Sequence, residues 1–211
     1  AALYISNGRK EGGMRGMRRR IMSGINLNVE GIYADGRQQL RTKWKPQLNT
    51  KFRVLCSVKN ADATTFCTFQ LYSSNYPAIF AIGNGGNNKY NYLEFFNNNA
   101  YPIEYPFYGG SIFTDGDYDI ILDSEGAIVN GVRYKHKRTM ANTQAASLFN
   151  TVMAGWKVSI FEVKKMECWN NNILEYNFVP ANKNGIYGFF DTVNKEFYRS
   201  STGVDFLGIE R

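Results

Sequence analysis

Polar and apolar residues alternate along most of this chain, in short runs closed by Gly, Asn or Asp. A period of two puts successive side chains on opposite faces of an extended strand, so each run reads as a β-strand with one dry and one wet face. The segment "GIYADGRQQLRTKWKPQLNTKFRVLCSV" predicts strand, turn, strand, a proline-marked loop and a longer strand. Further strands are predicted in "TTFCTFQLY", "YPAIFAIGN", "YNYLEFF", "GSIFTDGDYDIILD", "GAIVNGVRYK" and "WKVSIFEVKKME". Many short strands separated by turn residues point to a sandwich or jelly roll rather than to alternating strands and helices. Only "TMANTQAASLFNTVMAG" has helical character, and it predicts a short helix on a connection.

Two stretches give finer expectations. "FRVLCSV" and "TTFCTFQLY" are expected to pair around "KNADAT" with Cys56 opposite Cys67, which puts Phe52, Val54, Cys56 and Val58 on an apolar face and Arg53, Ser57 and Lys59 on the wet one. That register leaves the two thiols either as buried free cysteines or as a cross-strand disulfide. Near the end, "GFFDTVNKEFYRSSTGVDFLG" predicts strand, four-residue turn, strand. Phe189 and Phe190 enter it, Asp191 bonds the backbone ahead, Asn194 accommodates the turn, and Phe197 and Tyr198 leave; Gly203 and Gly208 then bend the chain.

Composition adds a division. The first 24 residues carry Arg9, Lys10, Arg15, Arg18, Arg19 and Arg20 against Glu11 alone, a net of +5, so +2 of the total +7 remains for the other 187 residues. This opening is glycine-rich and has no periodic apolar face, which predicts a basic arm over residues 1–30 that orders on a partner, followed by one sandwich domain over 31–211. The three cysteines Cys56, Cys67 and Cys168 form no even framework and no Cys-x-x-Cys pair. The apolar runs stay well short of the ~18 residues a membrane-spanning helix needs, and no charged-then-apolar signal segment opens the chain.

The C-terminal motifs are familiar as a group. Ile160 to Lys164 form an Ile-Phe-x-x-Lys strand, Phe178 to Pro180 a Phe-x-Pro segment, Gly188 to Tyr198 a Gly-aromatic-aromatic-Asp-x-Val-x-x-x-Phe-Tyr hairpin, and Gly203 to Gly208 a Gly-x-x-Phe-x-Gly tail. In this order they resemble the concanavalin A-like, laminin-G-like jelly-roll modules of phage, prophage and surface proteins of gut Bacteroidota. "GRQQLRTKWKPQLNTKFRV" and "GAIVNGVRY" resemble the first half of the same family more loosely, so the likeness covers about residues 31 to 208 and leaves the arm outside. The family usually has "IDTG" where this chain has "LRTK", which places charge near the first loop. The resemblance implies an all-β, concanavalin A-like jelly-roll sandwich of two antiparallel sheets. It says little about function, because the matching positions are glycines and core aromatics.

Retaining glycan hydrolysis needs two carboxyls only ~5 Å apart, as alternate positions on a strand provide; no strand shows the paired-acid arrangement, and the nearest cluster is Asp115, Asp117 and Asp119 in "TDGDYDIILD". Its Gly-containing surroundings suggest turn aspartates, with calcium ligation as a minor alternative. The single histidine, His136, lies among cations in "YKHKR", and no signature marks Cys168 as a nucleophile. No catalytic residue, metal or cofactor is therefore expected. A lectin-like surface is suggested by "NNKYNYLEFFNNNAYPIEYPFYGG", where Tyr90, Tyr92, Asn98, Tyr101 and Tyr105 combine ring faces with amides. The arm lacks the interleaved aromatics of a base-stacking platform, so docking to protein is expected rather than specific nucleic-acid binding.

These readings converge on a non-enzymatic virion-associated structural protein: a capsid decoration, head-fibre or tail component, assembled in the bacterial cytoplasm. It would display a lectin-like jelly roll and be anchored by its arm among other virion proteins as part of an oligomer, with a surface glycan as candidate ligand. The alternative is a bacterial cell-surface carbohydrate-binding module or adhesin.

Overall fold

Among the described residues, three asparagine turns each close a hairpin. Asn130-Gly131, Asn171-Asn172 and Asn184-Gly185 each have positive φ at both residues (46° and 84°, 50° and 61°, 54° and 86°). Two successive left-handed residues make the two-residue turn whose twist matches that of flanking strands, and Asn and Gly tolerate it best. The computed structural model describes residues 24–34, 37–47, 49–59, 69–72, 80–84, 91–94, 115–135, 147–148 and 160–210. Its strands are β1 Ile25–Asn26, β2 Val29–Tyr33, β3 Leu40–Arg41, β4 Lys51–Lys59, β5 Phe69–Tyr72, β6 Phe80–Asn84, β7 Asn91–Glu94 and β8 Gly116–Asp123. They continue as β9 Gly126–Val129, β10 Val132–Lys135, β11 Ser147–Leu148, β12 Ile160–Asn170, β13 Ile173–Lys183, β14 Ile186–Asp191, β15 Glu196–Tyr198 and β16 Leu207–Glu210.

The result is an all-β, jelly-roll-type sandwich built from two antiparallel sheets. The larger runs β10-β9-β8-β4-β12-β13-β14-β15, and the smaller runs β3-β11-β5-β6-β7. In the larger sheet β12 and β13 pair only from Met166↔Phe178 to Asn170↔Ile173. Below that point they diverge: β2 takes the freed edge of β12 at Val163↔Ile32, and β1 pairs β13 at Ile25↔Lys183. β16 then adds to the other edge of β2.

One core joins these branches. Phe52, Val54, Cys56 and Val58 of β4, Ile120 and Leu122 of β8, Val163, Met166 and Cys168 of β12, Phe178 of β13 and Phe189 of β14 bury together, with Trp44, Phe206 and Leu40 of β3. A smaller cluster of Ile25, Ala181 and Phe190, with Leu27, Val179 and Phe197 against it, lies on the opposite face of β13 and β14.

Several expectations change. On β4 Phe52, Val54, Cys56 and Val58 are buried as expected and Lys59 is exposed, but Ser57, expected on the wet face, is buried too; the strand's two edges pair β8 and β12, so Cys56 faces Tyr118 and Val163 rather than Cys67. β5 belongs to the other sheet, and Cys67 lies outside the described residues. Cys56 and Cys168 are buried free thiols. Cys168 faces Phe52, four residues from Cys56 along β4 or about 13 Å at ~3.3 Å per residue, beyond disulfide reach. "GAIVNGVRYK" is two strands broken at Asn130-Gly131, not one. Ser147–Leu148, expected within a helix, is a strand that fills the gap between β3 and β5, where backbone pairing outweighs helical propensity. Among the described residues the first paired one is Ile25, and β1 and the start of β2 take up residues 25–26 and 29–30 of the stretch assigned from sequence to the arm.

The C-terminal hairpin forms as expected. Residues 192–195 make the turn, and the Asp191 carboxylate accepts the N–H groups of Asn177, Val193 and Asn194. The left-handed residue is Lys195 (φ 60°) rather than Asn194. Gly203 bends the chain at φ 84°, but Gly208 serves a different purpose, because a Cβ there would lie 2.1 Å from the Tyr187 ring.

Candidate functional site

The outward face of β8, β4 and β12 carries a dense group of charged residues. Asp117, Asp119 and Asp123 on β8 alternate with core residues, and Ser57, Leu55 and Arg53 lie across from Asp117, Asp119 and Ile121 on β4. On the other edge of β4, Glu162, Lys165, Glu167 and Trp169 of β12 face Ser57, Leu55, Arg53 and Lys51. The lattice depends on a bulge, because Val163 faces Cys56 while Lys165 faces Leu55, leaving Lys164 as the extra residue.

Every acid in this lattice has a cation. Arg53 grips Asp119 with two bonds of 2.8 and 2.7 Å and reaches Glu167 at 3.7 Å. Lys165 Nζ donates to Glu167 Oε1 at 2.6 Å, and Lys59 Nζ to Glu162 Oε2 at 3.0 Å. Arg133 on β10 holds Asp123 through bonds of 2.6 and 2.7 Å. The bulged Lys164 donates to Asp117 at 2.8 Å, and Ser57 Oγ donates to the same carboxylate. Glu162 lies against backbone: a Cβ on Gly31 would come within 2.5 Å of its Cγ, so only glycine lets β2 pass over that side chain.

The electrostatics follow from these contacts. Lys164 and then Ser57 hold the Asp117 carboxyl below the usual range. Burial pushes Asp123 upward, but the bonds from Arg133 and the Glu125 N–H outweigh it and the net shift is down. A general acid needs a raised pKa, so the shift at Asp117 runs the wrong way for that role. Burial pushes the Cys56 thiol up to about 12 and Cys168 well above its ordinary value, and thiols so shifted are poor nucleophiles.

Asp117 and Asp119, read from sequence as turn aspartates, therefore lie on a strand, where the ladder to β4 fixes them, and Asp115 precedes it. Among the described residues no group of three or more His, Cys, Asp or Glu side chains is placed to hold a metal ion. Tyr90, Asn98, Tyr101 and Tyr105 lie outside the described residues, as do His136 and the arm cations Arg9, Lys10, Arg15, Arg18, Arg19 and Arg20. Tyr92 is placed on β7, opposite Gly83 of β6. Sequence reasoning missed Lys164, Lys165, Glu167 and Trp169, whose signal was the run of polar residues in "FEVKKMECW".

Trp169 differs from the other rings. Of the described aromatic side chains, it and Tyr33 belong to neither hydrophobic cluster. Trp169 is half-buried, and the Lys51 ammonium lies 4.1 Å from its ring centroid. No described helix is long and apolar enough to cross a membrane. Compared with protein-family models, with curated proteins and with solved structures, the chain matches none.

Proposed function

We propose that the chain is a non-enzymatic, virion-associated structural protein of the capsid-decoration, head-fibre or tail type, displaying its jelly roll and anchored by the basic arm. The observation that carries this reading is a separation of charge. The first 24 residues hold +5, whereas the acids on the outward face of β8, β4 and β12 are each already bound to a cation of the same face. A body whose acids on this face are paired, joined to an arm whose charges outnumber their local partners, suits attachment through the arm and presentation of the sandwich. The likeness of its C-terminal motifs to phage and prophage jelly-roll modules supports the same reading.

Reversing four arm charges in the full chain (R15E, R18E, R19E and R20E) should abolish co-sedimentation with the native particle while leaving the circular dichroism of the sandwich unchanged. Undiminished co-sedimentation of the reversed chain would count against anchoring through the arm.

A second reading, a cell-surface carbohydrate-binding module or adhesin, is favoured by one observation: a tryptophan on the polar face of the sheet, outside both hydrophobic clusters.

A further inference from the structure

We propose that Arg41, Lys43 and Lys45 form a ladder of cations that binds an extended acidic segment of a partner protein, at a surface separate from the arm. They lie in a one-sided stretch of the sandwich: residues 36–59 hold seven Lys and Arg and no Asp or Glu. The cations of that stretch divide into two groups. Arg53 and Lys59 are bound to Asp119 and Glu162. Among the described residues no ion pair involves Arg41, Lys43 or Lys45, and Arg41 Nε donates to the neutral amide of Gln39 at 3.3 Å.

Placement turns these three charges into a row. Burial alternates residue by residue here: Leu40, Thr42, Trp44 and Pro46 are buried, and Arg41, Lys43 and Lys45 are exposed. Leu40 and Trp44 belong to the main core, so the backbone between the cations is pinned from beneath. Among the described strands β3 is the outermost of the smaller sheet, and the row begins on it. Alternate positions of an extended chain stand about 6.6 Å apart at ~3.3 Å per residue, so the rungs are evenly spaced.

The spacing and the charge together choose the occupant. An extended peptide repeats its own side chains at the same interval, so Asp or Glu at alternate positions meets a cation at every rung. A pinned backbone keeps the ordering cost of that contact small. Nucleic acid fits less well, because the ring within the row, Trp44, is buried in the core and gives bases no platform. A second copy of this chain fits less well too, since the alternating acids Asp117 and Asp119 of β8 are already bound to Lys164 and Arg53.

The test is fluorescence anisotropy of the full chain with three labelled probes: a peptide alternating Glu and Thr, a peptide of the same composition with its acids in one block, and an oligothymidylate of equal charge. Wild type is compared with a ladder variant (Arg41→Gln, Lys43→Gln and Lys45→Gln) and an arm variant (Arg15→Gln, Arg18→Gln, Arg19→Gln and Arg20→Gln), each fold being checked by thermal melt. The alternating peptide should bind wild type and the arm variant, weaken as salt is added, and bind the ladder variant roughly tenfold or more less tightly. The blocked peptide should bind wild type several-fold less tightly than the alternating one. Undiminished binding by the ladder variant, loss in the arm variant alone, equal affinity for the two peptides, or no binding at all overturns the ladder. Tighter ladder-dependent binding of the oligothymidylate than of the alternating peptide makes nucleic acid the occupant and overturns the proposal as well.

Discussion

A methyl group added at Gly208 would lie 2.1 Å from Cδ1 of Tyr187, and one added at Gly188 would lie 2.2 Å from the Tyr198 carbonyl oxygen. Both glycines exist so that neighbours can touch. Gly208→Ala must push the Tyr187 ring aside, and Tyr187 also donates its hydroxyl to Glu210 at 3.1 Å. The expected loss is about 1–3 kcal/mol in a urea melt, the usual cost of overpacking. Gly203 at φ 84° has open space around its missing Cβ, so Gly203→Ala is strained only through its backbone and should cost about 1 kcal/mol. A larger loss at Gly203 than at Gly208 would reverse the account of these positions. Both glycines were legible in the sequence as important, but whether a glycine serves a bend or a contact depends on a neighbour distant in the chain.

At the same scale, Asp123 ties stability to pH. Its folded pKa lies below the unfolded value, so its contribution is present above the unfolded value, near 4 for aspartate, and is lost as pH falls through the folded value. Because Asp123 and Arg133 are partly exposed, the contribution is under about 1 kcal/mol and shrinks with salt. Removing the cation in Arg133→Met should flatten the fall in stability between pH 4 and pH 2, measured as Tm at low ionic strength. An unchanged acid limb would show that the pair contributes nothing.

Among the elements, β12 organises the sheet. It pairs β4 along one edge and divides the other between β13 and β2, and the contact that lets β2 in is Gly31 against Glu162. Gly31→Ala should therefore destabilise the protein by about 1–3 kcal/mol. In a Glu162→Ala background the same change should cost clearly less, because the side chain it meets has gone. Equal costs in both backgrounds would show that β2 passes over Glu162 without depending on it.

The alternation along β4 was plain in the sequence, and its two faces follow from it. β12 was harder to read, because strict alternation from Glu162 sends Lys164 outward and Lys165 inward, whereas the bulge carries Lys165 outward and Met166 into the core. Pairing of β4 with β5 was likewise the natural local guess, yet β4 pairs β8 and β12, far away in sequence. Short-range pattern fixes faces; partners are chosen by the whole core. The break at Asn130-Gly131 was legible in principle, since Asn-Gly is among the strongest hairpin signals, but with only four strand residues on each side the stretch passes for a single strand.

The whole molecule has two parts: a sandwich whose acids on the face of β8, β4 and β12 are paired to cations, and an opening segment holding most of the net charge. The sandwich was legible because strand alternation and turn residues agree along its length. Its charged face was not, because Asp117 and Asp119 meet Lys164 and Arg53 only once three strands align. The most direct measurement is high-resolution imaging of the native assembly that contains this chain. The account predicts residues 1–24 ordered against a neighbouring subunit, with the face of β8, β4 and β12 turned outward. An arm that stays mobile in the assembled particle, or a sandwich buried with that face against the shell, would contradict it.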